Sequence, residues 1–68
     1  MSTTPKQFGM RLKKLRVAKG LSQEMLARQA RITREYVNKL EGGRYDPTIS
    51  VVQRLAKALR VKLAELVK

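Results

Sequence analysis

The chain is 68 residues long, with 16 lysines and arginines against five acidic residues, a net charge of +11, and neither cysteine nor histidine. Such a length holds one domain, expected over residues 1–68 with its core in 5–67, and buries only about 60% of its unfolded surface. Disulfides, thiol or imidazole catalysis and the common zinc sites are excluded, as is a membrane-spanning helix, because no apolar run approaches ~20 residues.

Helix signals then follow one another along the chain. Thr4-Pro5 offers an N-cap with proline at the first helical position, and Gln7 stands at capping-box spacing from Thr4. Phe8, Leu12 and Leu15 make one helical stripe, and Gly20 ends the first helix. Ser22 caps a short second helix whose inner face is Leu26, Ala27 and Ala30. After Arg31-Ile32, Thr33 caps a third, with Val37, Leu40 and Glu41 pointing one way and Gly42-Gly43 closing it. Asp46-Pro47 makes a turn, and Thr48 caps a fourth helix running to Leu59 with Val52, Leu55, Ala56 and Leu59 inward. Val61 to Val67 reads as a last short helix.

No strand-length stretch alternates with period two, so the expected architecture is an all-α, five-helix bundle. The acids Glu24, Glu35, Glu41, Asp46 and Glu65 form no paired-carboxylate or metal-spaced motif, and no phosphate-cradling glycine loop is present. The sequence therefore predicts no enzyme, no metal and no cofactor.

Two features point beyond a plain bundle. Sixteen cations cannot be paired by five acids, which predicts a polyanionic partner or a membrane surface. Four well-capped helices weigh against a basic membrane peptide. The second and third helices, separated by about three residues, are also spaced as a helix-turn-helix, although any small bundle has such neighbours.

The words "RLKKLRVAKGLSQEMLA", "TREYVNKLEGGRYDP" and "LAKALRV" carry a more specific signal. From Phe8 to Leu66 the chain resembles the Cro/cI-type helix-turn-helix family, the lambda repressor-like or XRE family. The resemblance implies a compact five-helix lambda repressor-like DNA-binding domain whose third helix enters the major groove of double-stranded DNA. Arg31 and Arg60 depart from the family pattern, standing where glycine is common in the turn and at the end of the fourth helix. If either backbone has φ > 0, a non-glycine side chain there costs around 1 kcal/mol. Arg31, in the turn, is expected close to the DNA side.

With Val37 and Leu40 inward, a step of about 100° per residue directs Glu35 and Lys39 outward and Asn38 to one side. The implied base contacts are Arg34, Glu35, Asn38 and Lys39. Arginine and lysine donate to guanine, asparagine pairs with adenine, and glutamate accepts from cytosine N4. The competing reading makes Glu35 and Lys39 a solvated i,i+4 pair worth ~0.3–0.5 kcal/mol. Backbone contacts are expected from Ser22 and Gln23 at the start of the second helix, from Gly43, Arg44 and Tyr45 after the third, and from Thr48 at the start of the fourth. Ser22 and Thr48 serve as caps in either case, and Tyr36 is divided between packing against the second helix and a phosphate hydrogen bond. The resemblance also implies a structural salt bridge between Arg16 and Glu41. Lys6, Lys13, Lys14, Lys19, Arg28, Arg54, Lys57 and Lys62 receive no individual place.

One helix reads few base pairs, which the family meets by dimerising on a pseudo-palindrome with reading helices about 34 Å apart. Val61, Leu63, Leu66 and Val67 exceed what a small core absorbs and are expected at a homodimer interface; the competing reading has all four closing the core. The expected function is a sequence-specific DNA-binding transcriptional regulator, a repressor in preference to an activator. Its expected location is the cytoplasm, with the nucleoid, since MSTTPKQFG shows no signal-peptide core. The alternatives are an antitoxin-type or controller-type autoregulator with a protein partner (a toxin or polymerase), and a non-specific nucleic-acid-binding protein.

Overall fold

The computed structural model describes residues 3–67. Its helices are α1 (Pro5–Ala18), α2 (Gln23–Ala30), α3 (Arg34–Glu41), α4 (Ile49–Leu59) and α5 (Leu63–Val67), with no strand among the described residues. The all-α, five-helix expectation holds. Thr4, Ser22, Thr33 and Thr48 each accept a hydrogen bond from the backbone N–H three residues on, at 3.1, 3.0, 3.0 and 3.2 Å. Such a bond satisfies one of the four orphan donors at a helix start and contributes ~1 kcal/mol. At α1 the Gln7 side chain completes the box by accepting from Thr4 N at 3.2 Å.

α2 and α4 close alike. Arg31 and Arg60 take left-handed backbone, φ 60° and 58°, and the next N–H folds back on the helix: Ile32 N to Ala27 O and Val61 N to Ala56 O, both 3.0 Å. This closure favours glycine, and arginine occupies it twice. It also explains why α5 begins at Leu63 and not at Val61. The Val61 N–H is committed to Ala56, and the Lys62 N–H donates to Glu65 Oε2 at 2.9 Å, which makes Lys62 the entry cap.

α3 rests on α1 and α2, α2 on α4, and α5 spans α1 and α4. Phe8, Leu12, Leu26, Val37, Leu40, Val52, Leu55, Leu59 and Leu66 are the fully buried core between them. Leu66, expected at a dimer surface, is 0% exposed within the single chain, because α5 turns that side onto α1 and α4. Burying a leucine fully contributes ~1.5–3 kcal/mol, so the monomer core claims it. Val61 and Val67 pack partly against the same core, and Leu63 remains 40% exposed. Near the start of α1, Gly9 is buried where that helix crosses the end of α3.

Candidate nucleic-acid interface

α3 is held by its apolar side. Val37 and Leu40 are buried, which leaves Arg34, Glu35 and Asn38 exposed and Lys39 half-buried. These four side chains line one shallow depression of about 270 Å³ together with Gln23 from α2. The Glu35–Lys39 pair does not form. Lys39 Nζ donates to the Tyr45 hydroxyl at 3.3 Å and lies 5.3 Å from the centre of that ring. The Tyr45 ring stands 5.9 Å from Tyr36, tilted by 47°, and Tyr36 packs partly against the core. The loop after α3 thus fixes the Lys39 side chain, while the Glu35 carboxylate has no ion-pair partner among the described residues.

Beneath this face, Arg16 Nε donates to Glu41 Oε2 at 2.6 Å and Arg16 Nη2 to Oε1 at 3.2 Å. This is the one ion pair among the described residues, with its side chains 11% and 4% exposed. Arg16 Nη1 also donates to the Leu21 carbonyl at 2.7 Å, tying α1 to the entry of α2. Gln23 Nε2 donates to Glu41 Oε1 at 2.9 Å, and Asn38 Nδ2 donates to Gln23 Oε1 at 3.4 Å. Hydrogen bonds therefore run without a break from Arg16 to Asn38. Gln23, expected on phosphate alone, spends its carbonyl and one N–H inside the protein and has one side-chain N–H left.

The hydroxyls of Ser22 and Thr48 are taken up in capping. The backbone N–H groups of the first residues of α2 and α4 stay outside the helical ladder, at the positive dipole end. After α3, Gly43 has φ 74° and sits so close to Lys6 that a Cβ would lie 3.0 Å from the Lys6 Cα. Arg44 and Tyr45 follow on the surface. Lys13, which received no place from the sequence, lines a second depression of about 270 Å³ with Gln23, Asn38, Glu41, Gly42 and Arg44. Its position three residues before Arg16 on α1 was the available signal, one turn along the same face.

An exposed third helix, set by its cap and by its packing on two neighbours, defines a helix-turn-helix DNA-binding domain. A family model described as helix-turn-helix (HTH_3) matches residues 12–66, and the chain belongs to that family. It is a DNA-binding transcriptional regulator of the XRE, cI-like type, a family of non-enzymatic regulators. It is 39% identical over 62 residues to the uncharacterized HTH-type transcriptional regulator y4dJ of Sinorhizobium fredii, covering 91% of this chain and 80% of that one. It is 34% identical over 59 residues to the immunity repressor protein of Bacillus phage phi105, covering 87% of this chain but only 41% of the repressor. Among solved structures it is similar to the restriction-modification controller protein C.AhdI of Aeromonas hydrophila, at 42% identity and TM-score 0.89, over 91% of this chain and 94% of that one. The hypothetical transcription factor NHTF from Neisseria aligns at 33% identity and TM-score 0.91, over 97% and 76%. No helix among the described residues is long and apolar enough to cross a membrane.

Proposed function

We propose that the protein is a repressor that binds a pseudo-palindromic operator as a homodimer, with α3 of each copy in the major groove. Arg34, Glu35, Asn38 and Lys39 meet base edges. Ser22, Gln23, Tyr36, Gly43, Arg44, Tyr45 and Thr48 follow the phosphate backbone, joined by Lys13. The observation that carries this reading is Glu35, an exposed carboxylate without a cation partner among the described residues in a protein of charge +11. A surface that only attracts phosphate is weakened by such a group, whereas cytosine N4 offers it a donor.

Each phosphate neutralised by lysine or arginine releases counterions, which supplies affinity, and the α3 side chains supply the choice of site. The buried Arg16–Glu41 pair holds α3 at its angle to α1. Two copies joined through Leu63, with Val61 and Val67 beside it, set their reading helices one helical turn apart, about 34 Å. Occupying the operator then excludes polymerase, in the cytoplasm at the nucleoid.

Selection from a randomised duplex library at near-physiological salt tests the reading. An enriched pseudo-palindrome with half-sites one turn apart is the expected result. Retention without any enriched sequence, lost as salt rises, would leave a non-specific binder. A controller-type autoregulator is the second reading, supported by the 42% identity to C.AhdI over nearly its whole length. It predicts that the enriched site occurs upstream of the protein's own gene.

A further inference from the structure

Arg31 and Arg60 share more than their left-handed backbone. Both line a cleft of about 590 Å³ between α2 and α4, with Arg54 and Lys57 as its other cations, and Gln29 and two alanines completing it. No acidic residue lines this cleft, and none of its four cations is in an ion pair among the described residues. A cation near a helix C-terminus is favoured by the helix dipole, which accounts for Lys57. It favours the charge of Arg31 and Arg60 too, since these cap α2 and α4, but it does not offset the backbone strain of a left-handed arginine and does not account for Arg54, well inside α4. Four like charges around one cleft repel each other, and an anion seated among them relieves that repulsion.

The cleft shares no residue with the depressions along α3. The side chains that line the α3 face are therefore not those that line the cleft, and Arg31 belongs to this cleft as much as to the turn before α3. Its lining identifies the partner. It has no aromatic or large apolar side chain, so it lacks the apolar anchors of a protein–protein interface and an aromatic platform for stacking bases. Guanidinium forks, an ammonium and an amide suit phosphate oxygens, and contacts to phosphate carry no sequence information. We propose that the cleft between α2 and α4 holds the phosphodiester backbone of a second stretch of double-stranded DNA, so that one molecule tethers two DNA segments. The proposal rests on α3 being the helix that reads the first stretch.

The test uses beads carrying the duplex enriched by library selection, loaded with the full chain, washed, and offered a labelled duplex of random sequence. Wild-type protein is expected to recruit the label. Arg54→Gln combined with Lys57→Gln, both exposed on α4, is expected to cut recruitment roughly tenfold while affinity for the first duplex changes less than about twofold. The exchange Arg54→Lys with Lys57→Arg keeps both charges and is expected to retain recruitment; an unchanged urea midpoint in each variant excludes misfolding. Equal losses on both duplexes, or undiminished recruitment, overturn the proposal. Displacement of the label by polyglutamate in preference to unlabelled duplex also overturns it, in favour of an acidic protein segment. Failure of the α3 reading is seen separately, as an Arg34→Ala protein that selects the same sequence as wild type.

Discussion

Glu41 decides which way round the Gln23 amide sits. Its Oε1, 2.9 Å from Gln23 Nε2, accepts and does not donate, so Gln23 turns its NH2 group inward and its carbonyl toward Asn38. A pair of charges almost out of solvent thus reaches the exposed face of α3 through two amides.

Glu41→Gln separates the two consequences of that arrangement. It leaves the Arg16 guanidinium buried without its counter-charge, and breaking such a pair is expected to cost ~3–5 kcal/mol in urea denaturation. Gln23 also becomes free to flip, so base preference opposite Asn38 is expected to change in library selection at low temperature. A variant that loses stability but selects the wild-type sequence would confine Glu41 to holding the helices together.

Gly9→Ala sets helix propensity against space. Alanine is favoured over glycine inside a helix by ~1 kcal/mol. The added Cβ, however, would stand 2.3 Å from the Leu40 carbonyl oxygen and 2.7 Å from that of Glu41, both backbone atoms with no rotamer to yield. Overpacking of this kind costs ~1–3 kcal/mol, and here the backbone must move, so a net loss of about 2 kcal/mol is expected by urea denaturation. A raised midpoint would mean that α1 and α3 cross farther apart than described.

Arg34→Ala and Arg44→Ala are expected to fail differently. The first relaxes base preference by ~1–3 kcal/mol at one position per half-site. The second weakens specific and random duplexes alike and lowers the slope of log affinity against log salt by about one. Binding isotherms on both duplexes at several salt concentrations distinguish them. Equal losses for Arg34→Ala on the two duplexes would remove it from the base edges.

Leu63 and Leu66 stand three residues apart on α5 with opposite expectations. Leu66→Ala opens the monomer core and is expected to cost ~2–5 kcal/mol. Leu63→Glu alters an exposed position and is expected to leave monomer stability within ~0.5 kcal/mol, while lowering dimer content in sedimentation equilibrium. Unchanged self-association in Leu63→Glu would move the dimer surface off α5.

What the sequence makes legible here is what the chain decides locally. The caps at Thr4, Ser22, Thr33 and Thr48 are bonds across three residues, so residue type and spacing reveal them. The inward set Val37 and Leu40 follows from helical period, and the outward set of α3 follows from that. Contacts between distant elements are harder. Leu66 looks surplus until α5 is seen to span α1 and α4, and the Gly9 crossing joins residues more than 30 apart. The commitment of Lys39 to Tyr45 and the Glu41 grip on Gln23 depend in the same way on how the loop and α2 settle against α3. The Arg16–Glu41 pair became visible through family resemblance, since periodicity alone places both only at the edges of their stripes.

The left-handed arginines have a consequence for heat tolerance. Arg31→Gly and Arg60→Gly each relieve about 1 kcal/mol of backbone strain. In a domain of this size 1 kcal/mol raises Tm by roughly 4–8 °C. The fold therefore sits below a stability that two single substitutions reach, and each of them removes one of the four cations of the cleft. Warmth and DNA tethering pull on the same two positions in opposite directions. A population of variants selected only for survival on heating is expected to surrender these arginines early, and to weaken its hold on a second duplex as it does so.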